Sequence, residues 1–371
     1  MSKTATVRLD GTARETPLDK PETDSGFLWD FWYPALRSDG VYGRKLAKAM
    51  LLEIPLVVGR TSDGKAFAMR DSCPHRGIPL SFGHFDGKNV QCSYHGWEFD
   101  ACSGRCVEIP SLTGADKLKV ERISAGHFPA EERDGYVWVY LNTPGTRLPE
   151  PLPAVPELPK FSDKFKIAHL GCDLPSHVDQ GIIGLMDPAH GPFVHQSWFW
   201  RSKKSIHEKA KQFEPIPWGF RMSKHSPSTN SAPYQLLKKL TGEAVSTTID
   251  FVLPNMRFEE IHSGHLWFSS RATVTPIRRD LCRIDFVAAW NLFLPVWLFQ
   301  SFARIFLRQD QLTMIQQAEG LKHNPRLMLI DDADRPAKWY FALKQNLLES
   351  RRTGMPMAHP MNGPVTLHWK S

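Results

Sequence analysis

The sequence has few of the features that point to nucleic acid, to secretion or to a bound nucleotide. It contains no dense run of lysine or arginine, and its net charge of +7 is moderate for 371 residues, so we expect no nucleic-acid partner. Residues 1–26 lack the apolar core of a signal peptide, and we expect none. No glycine-rich fingerprint of the G-x-G-x-x-G type is present, so nicotinamide or flavin chemistry is expected to reside on another protein.

Cysteine is also scarce, and its distribution is uneven. Four of the six cysteines, Cys73, Cys92, Cys102 and Cys106, lie close together and are interleaved with histidines. So few cysteines in a chain of this length do not make a disulfide scaffold. Their clustering with histidine indicates metal chemistry in a reducing compartment, and we expect a cytoplasmic location.

A long uninterrupted apolar run is missing as well. The most apolar segment, residues 286–306, is broken by Asn291, Pro295, Gln300 and Arg304. A membrane-spanning helix needs about 20 predominantly apolar residues, so we predict a core strand followed by a packed helix. A helix that dips into a bilayer surface, giving a peripheral membrane contact, is the alternative.

Short β-type runs dominate the first part of the chain. They lie at residues 52–60, 66–71, 90–100 and 136–142, with Gly and Asp in the connections between them, as in hairpins. Residues 143–161 then contain six prolines. This composition excludes a helix or a central strand and predicts an extended crossover.

The remainder of the chain has a mixed pattern. It predicts helices at 178–197, 296–320 and 337–352 and strands at 247–253, 265–275 and 282–293. We therefore predict an α+β protein with two domains. The first is a small, mostly β domain over residues 29–143, and the second is a larger domain over residues 144–371, to which residues 1–28 add a few contacts.

Two pairs of metal-binding residues are the most specific feature of the small domain. Cys73 and His75 form a Cys-x-His pair, and Cys92 and His95 form a Cys-x2-His pair. A structural zinc ion is one interpretation, because zinc binds both thiolate and imidazole. A [2Fe–2S] cluster is the other, because each loop then supplies one cysteine to one iron and one histidine to the second. The alternation of cysteine and histidine within each loop favours the cluster.

Glycines and Trp97 surround these ligands, and similar motifs continue through residues 106–112 and 136–141. On these motifs the chain resembles the Rieske domain of the ring-hydroxylating oxygenase superfamily. The resemblance implies a small all-β Rieske [2Fe–2S] domain and an α+β, helix-grip-like catalytic domain with a central antiparallel sheet. His84, Cys102 and Cys106 do not have the ligand spacing and are expected to be packing or surface residues.

A second candidate metal site lies in residues 184–195, which contain Asp187, His190 and His195. Residues five apart do not face the same way on a regular helix, so a bend near Gly191 must bring the two imidazoles together. Two histidines alone are weak evidence for a metal. Beside a Rieske domain, their spacing resembles the superfamily's catalytic motif, in which two histidines and one carboxylate hold a mononuclear Fe(II).

The resemblance places the carboxylate ligand on a long C-terminal helix. Residues 306–320 match that region and place the ligand at Asp310. This part of the resemblance is looser than the part over residues 29–200. Two alternatives remain open. Glu319 or Asp331 could be the ligand instead, or Asp310 could be a solvated helix residue that binds no metal.

The resemblance also implies a role for Asp187. In the superfamily the corresponding acid connects the two metal centres across a subunit boundary, here from His95 of one subunit to Asp187 and His190 of the next. Such a contact implies a head-to-tail ring, most simply a homotrimer. A helix-capping or buried structural acid is the alternative. Many relatives carry Asn where this chain has Gly184, so we expect altered surroundings of the iron without loss of the iron.

These features predict the terminal component of a monooxygenase or demethylase, which uses electrons and O2 to hydroxylate or oxidatively demethylate its substrate. The electrons must come from a separate reductase or ferredoxin. Exposed cations near the cluster loops, Arg76, Lys88 and Arg105, would suit the docking of an acidic ferredoxin.

The substrate is less sharply predicted. Residues 247–307 are rich in Phe, Trp, Leu and Val, which favours a large apolar molecule such as a sterol or another polycyclic terpenoid. A small aromatic or methoxy-aromatic acid is the alternative, and it requires a buried Arg or Lys in the pocket. A non-catalytic redox or lipid-binding protein is a third hypothesis, against which the presence of His190, His195 and Asp310 argues.

Overall fold

The computed structural model describes residues 26–196, 206–226 and 232–371. The polar residues 1–25 therefore lie outside the described ranges. The strands are β1 (Phe31–Arg37), β2 (Ala47–Leu51), β3 (Ile54–Arg60), β4 (Ala66–Arg70), β5 (His84–Phe85), β6 (Asn89–Gln91), β7 (Glu98–Asp100), β8 (Cys106–Glu108), β9 (His127–Phe128), β10 (Ala130–Arg133), β11 (Tyr136–Leu141), β12 (Lys166–Leu174), β13 (Glu208–Ile216), β14 (Gly219–His225), β15 (Ser246–Val252), β16 (Met256–Ser263), β17 (Leu266–Arg278), β18 (Leu281–Trp290) and β19 (Val365–Lys370). The α-helices are α1 (Val178–Met186), α2 (Gly191–Val194), α3 (Ala232–Thr241), α4 (Val296–Leu321) and α5 (Arg335–Thr353).

The first part of the chain is mostly β, as predicted. Its strands form three antiparallel sheets, ordered β1-β11-β10, β2-β3-β4-β9 and β5-β6-β7-β8. Strand β11 is buried along its whole length, because apolar side chains on both of its faces meet other layers. No strand or helix is assigned between Leu141 and Lys166, which agrees with an extended, proline-rich crossover.

The prediction of one strand over residues 90–100 was wrong. This stretch contributes to two strands, β6 and β7, which pair with each other in an antiparallel hairpin. The chain reverses between them in a tight turn that contains Gly96 with a φ of 70°, a conformation that favours glycine. Apolar residues continue on both sides of the turn, but their alternation shifts by one residue at Gly96, a sign of the reversal that the prediction did not use.

The larger domain contains a single eight-stranded sheet in the order β12-β18-β17-β16-β15-β14-β13-β19, antiparallel throughout. This confirms the predicted central antiparallel sheet. Its strand β17 is buried along most of its length, since both faces of the sheet are covered. On one face Ser269 accepts a hydrogen bond from the crossover at Lys160 N, and Arg271 pairs with Asp134 at 2.6 Å.

The prediction of one helix over 178–197 was also wrong. Helix α1 ends at Met186, Asp187 is extended with a ψ of 116°, and the short helix α2 begins at Gly191. Pro188 and Pro192 account for the break, because proline does not continue the hydrogen bonds of a helix. The two later helices agree with prediction, since α4 and α5 cover nearly the expected ranges.

The apolar segment 286–306 forms the end of a strand and the first part of a helix, as predicted. Among the described residues, no helix is long and apolar enough to cross a membrane. Trp290 is fully buried and its ring lies 4.6 Å from that of Phe299 on α4. Phe268 and Phe286 join this cluster, so much of the aromatic content of 247–307 forms core rather than pocket.

Candidate metal centres and substrate cavity

The two cysteine–histidine loops have the same backbone hydrogen bonds. In each loop the cysteine N–H donates to the carbonyl five residues later, at 2.8 Å for both Cys73 and Cys92. In each loop the cysteine carbonyl accepts from the glycine four residues later. These glycines, Gly77 and Gly96, have φ values of 75° and 70°. Two matching turns therefore present their side chains to a common point.

The cysteines lie inside these loops and the histidines lie outside. Cys73 and Cys92 are 2% and 3% exposed, whereas His75 is exposed and His95 half-buried. The two imidazole rings are 4.5 Å apart, and Trp97 stacks on His75 at 4.7 Å. The histidine side of the site is thus the one that another protein can approach.

The donor set fits two metal ions better than one. Ligands around one zinc ion lie about 3.5 Å apart, because each bond is about 2.0–2.3 Å long. In the described part of the chain, the only three His, Cys, Asp or Glu donors that all lie within 4.8 Å of one another are in the larger domain. The four loop donors do not meet this condition, and a cluster that divides them between two irons explains the wider spacing.

Burial affects the metal-free thiol of Cys73. Burial, together with the adjacent Cys92 thiol, raises the pKa of Cys73 to about 11. A bound metal requires the thiolate instead. Loading of the cluster must therefore remove a proton from Cys73.

In the larger domain, the break after α1 positions both candidate iron-binding histidines. His190 immediately precedes the short helix α2, and His195 immediately follows it. The imidazoles therefore project from the two ends of a single helical turn. The Nε2 atoms of His190 and His195 are 3.1 Å apart.

Helix α4 brings Asp310 to the same point. Its Oδ1 lies 3.1 Å from His195 Nε2 and 4.0 Å from His190 Nε2. Ligands at right angles around an ion with bonds of about 2.1 Å lie about 3 Å apart. Two imidazoles and one carboxylate at this spacing fit one face of an octahedral Fe(II) site and leave its other positions open.

The alternative carboxylates lie elsewhere. Glu319 is exposed and pairs with Lys322, and Asp331 is exposed and lies 3.2 Å from Lys338. Neither belongs to the group of donors around His190. Of the three acids considered from the sequence, the structure brings Asp310 alone to the histidines.

Two further side chains orient the histidines. His195 Nδ1 is 3.1 Å from Gln309 Oε1, and donation from this nitrogen leaves Nε2 free for a metal. Asp187 Oδ2 is 3.6 Å from His190 Nδ1, while its Oδ1 accepts from Ala189 N at 2.7 Å. Asp187 therefore both holds the turn after α1 and faces an imidazole. Burial opposes protonation of His190, but the Asp187 and Asp310 carboxylates together outweigh burial, and the pKa of His190 is raised.

Helix α1 is fixed in place from two sides. A Cβ at Gly181 would lie 2.7 Å from Val274 of β17, so only glycine allows this close approach to the sheet. Asp179 accepts hydrogen bonds from Tyr340 and Lys344 of α5. This packing fixes the first half of α1, the helix that directly precedes Asp187.

A cavity of about 470 Å³ adjoins the three donors. Its lining includes His190, His195 and Asp310 and comes from α1, α2, α4, strands β12, β14 to β16 and β18, and residues 329–337. The walls are mainly apolar, with Ile183, Leu185, Met222, Ile249, Phe251, Ile284 and Met314 among them. Gly184 also lines it, and a Cβ there would contact only Met314, at 3.7 Å.

Sequence reasoning did not identify Gln309 or Arg257 as site residues. Gln309 directly precedes Asp310 in the sequence. This adjacency could have predicted that Gln309 lies near the candidate iron ligands. Arg257 lines the cavity from β16. No local motif marks it, because its place in the site depends on how the sheet packs on α1.

Residues 31–121 match the model of the Rieske [2Fe–2S] domain. Over 205 residues the chain is 32% identical to chlorophyllide a oxygenase, chloroplastic, of Arabidopsis thaliana, which covers 51% of this chain and 36% of the relative. It is 31% identical over 144 residues to the 4beta-methylsterol monooxygenase of Methylococcus capsulatus, with 39% of each chain covered. The matches thus span less than half the length of these curated relatives.

The fold is similar to solved structures over nearly its full length. NdmA of Pseudomonas putida CBB5 with caffeine superposes with a TM-score of 0.74 at 20% identity, covering 91% of this chain and 96% of that one. This likeness shows a shared fold. The chain thus contains a Rieske [2Fe–2S] domain, and the two relatives that it matches in sequence are oxygenases.

Proposed function

We propose that this protein is a terminal oxygenase component that hydroxylates or oxidatively demethylates an apolar, polycyclic substrate. The observation that carries the proposal is the placement of His190, His195 and Asp310, with mutually close donor atoms, at one wall of a mainly apolar cavity. When bound, the cluster held by the two loops supplies single electrons and the iron held by these donors activates O2.

The chain's own residues prepare the site for that chemistry. Gln309 holds the proton of His195 on Nδ1, and Asp187 orients His190 from its Nδ1 side. The apolar walls exclude water from the reacting centre. A non-catalytic redox or lipid-binding protein would not need Gln309 and Asp187 to orient the two histidines beside Asp310.

The cavity supports a polycyclic substrate. Its volume of about 470 Å³ falls within the range of about 300–1,000 Å³ typical of small-molecule sites. Two relatives are named for chlorophyllide a and for a 4beta-methylsterol. A small aromatic or methoxy-aromatic acid is a second candidate, because Arg257 supplies the cavity cation that such an acid requires.

Partners follow from the same proposal. A separate reductase or ferredoxin reduces the cluster, and the exposed Arg76, Lys88 and Arg105 provide positive charge near the loops for an acidic donor.

Asp187 connects His190 to His95 of a neighbouring subunit in a homotrimer. The half-buried Asp187 carboxylate beside His190 supports this role. The cytoplasmic location and the peripheral membrane contact stay predictions.

Product analysis with isotopic oxygen tests the proposal. The purified holoprotein with a compatible reductase and 18O2 is incubated in parallel with a sterol extract and with a panel of aromatic acids. We expect an 18O-labelled hydroxyl product, including a labelled hydroxymethyl product where a sterol methyl group is attacked, from the sterol pool. Labelled product from the acid panel alone would replace the polycyclic substrate with the second candidate.

The role of Asp187 has a separate test. In Asp187→Asn we expect iron content to persist, since the metal donors are unchanged, while reoxidation of the reduced cluster in the presence of O2 and substrate becomes at least about 100-fold slower. Stopped-flow absorbance of the cluster measures this rate. Asp334→Asn, which changes another acid of the cavity lining, is the matched control. A wild-type rate in Asp187→Asn would contradict the bridge.

A further inference from the structure

Arg257 is the only lysine or arginine among the described residues that line the cavity. It lies near the start of β16, directly opposite Phe251 of β15 and Ala272 of β17 in the strand register. Directly opposed residues share a face of the sheet, so its neighbours on the cavity side are apolar. A cation in such surroundings needs a partner for its charge.

Glu259 is that partner. Its Oε2 accepts from Arg257 Nη1 at 3.1 Å, and the two side chains are 19% and 14% exposed. The residues are two apart on one strand and so lie on the same face. A guanidinium has five N–H donors, and this contact uses one of them. Donors of Arg257 thus remain available to a molecule in the cavity.

A further polar atom lies beside the pair. Ser270 of β17 is directly opposite Glu259 in the register and is fully buried. Its hydroxyl has no hydrogen-bonding partner among the described residues. Buried hydroxyls are normally hydrogen-bonded. Arg257, Glu259 and Ser270 therefore form a compact group of donors and acceptors on this face of the sheet.

The charge of this group separates the two substrate candidates. The Arg257–Glu259 pair is neutral as a whole, so a carboxylate placed against Arg257 would meet the negative charge of Glu259. A neutral oxygen meets no such repulsion. A carbonyl oxygen can accept from Arg257, and a hydroxyl can both accept from Arg257 and donate to Glu259.

We propose that Arg257 and Glu259 form a polar-head subsite that binds an uncharged hydroxyl or carbonyl oxygen at one end of an otherwise apolar substrate. The inference rests on the proposed function, since it concerns the same cavity. It goes further by specifying the polar group of the substrate and by excluding a carboxylate there. A hydrogen bond to a charged group contributes about 1.5–3 kcal/mol, which corresponds to about a 10–100-fold change in affinity.

Ligand binding to the anaerobic holoprotein tests this subsite without turnover. The probes are 5α-androstan-3β-ol, 5α-androstan-3-one, the hydrocarbon 5α-androstane and an androstane 3-carboxylate, titrated by tryptophan fluorescence. We expect the wild type to bind the alcohol or the ketone about 10–100-fold more tightly than the hydrocarbon. In Arg257→Met this preference should disappear, because the donor is lost while an unbranched apolar stem is kept.

A second variant tests the charge argument. Glu259→Gln leaves Arg257 without its counter-charge, so binding of the carboxylate probe should strengthen by about tenfold or more. Arg221→Met is the matched control, because Arg221 pairs with Asp250 across neighbouring strands of the same sheet and does not line the cavity. It should leave all affinities unchanged.

The outcomes are distinct. Equal binding of alcohol, ketone and hydrocarbon by the wild type, or a preference that survives in Arg257→Met, would overturn the subsite and leave the polycyclic substrate in place. A wild type that binds none of the four steroids would overturn the polycyclic substrate and, with it, the subsite. A carboxylate affinity that does not rise in Glu259→Gln would overturn the charge argument.

Discussion

Replacement of His190 with alanine is expected to abolish oxygenation while the visible spectrum of the Rieske cluster stays that of the wild type. The Nε2 of His190 is one of three donors that converge in the larger domain, and its loss leaves one imidazole and one carboxylate. Loss of a residue that merely supports a ligand costs about 10–100-fold in metal affinity or activity, so loss of a ligand itself should cost at least about 100-fold. Cluster absorbance, iron content and product formation are the three measurements.

Matched variants make this test specific. His323→Ala removes an exposed histidine just beyond the end of α4 and should change neither iron content nor product. Asp310→Ala should resemble His190→Ala, whereas Glu319→Ala should resemble the wild type, because Glu319 faces solvent and pairs with Lys322. Substantial oxygenation by His190→Ala would contradict the assignment of His190, His195 and Asp310 as iron ligands.

Replacement of Arg271 with methionine is expected to destabilise the protein by about 3–5 kcal/mol. Arg271 is 1% exposed, lies 4.7 Å above the Trp138 ring and donates to both Asp134 and Pro156 O. Its loss leaves the Asp134 carboxylate buried without its counter-charge. Because Asp134 precedes β11 in the small domain and Arg271 lies in the large sheet, the loss weakens the packing between them.

Thermal unfolding measures this effect. The midpoint should fall by about 4–6 °C, as expected for a loss of this size in a chain of several hundred residues. The double variant Arg271→Met with Asp134→Asn should recover part of the loss, because no unpaired charge then remains buried. Arg352→Met, which removes an exposed arginine that pairs with Glu349, should leave the midpoint unchanged. A midpoint near that of the wild type in Arg271→Met would show that this ion pair does not hold the domains together.

The pattern of the sequence predicted the regular elements better than their interruptions. Helix α4 was predicted within one residue at its C-terminal end, because its apolar residues keep a helical period over many turns. The stretch 178–197 was predicted as one helix although Pro188 ends it. The run 90–100 was predicted as one strand although a turn at Gly96 divides it. In both cases apolar residues continued through a local reversal of the backbone.

The lining of the cavity was least predictable. Aromatic residues of 247–307 were expected to form a pocket, yet Phe268, Phe286 and Trp290 pack with one another and with α4. Composition records how apolar a segment is, but not which face of a strand turns toward a neighbouring element. Arg257, which gives the cavity its cation, could therefore not be distinguished in sequence from an arginine on the other face of the sheet.

The sequence alone determined the metal-binding loops of the small domain. Their four donors lie in two short pairs on adjacent turns, so local spacing and glycine positions are enough to specify the geometry. Only the tertiary structure brought Asp310 and Gln309 to His190 and His195, and placed Arg257, with Glu259 beside it, on a wall of the same cavity. These residues come from distant parts of the chain. Their meeting depends on the packing of α4, α1 and the sheet, which the local pattern of the sequence does not encode.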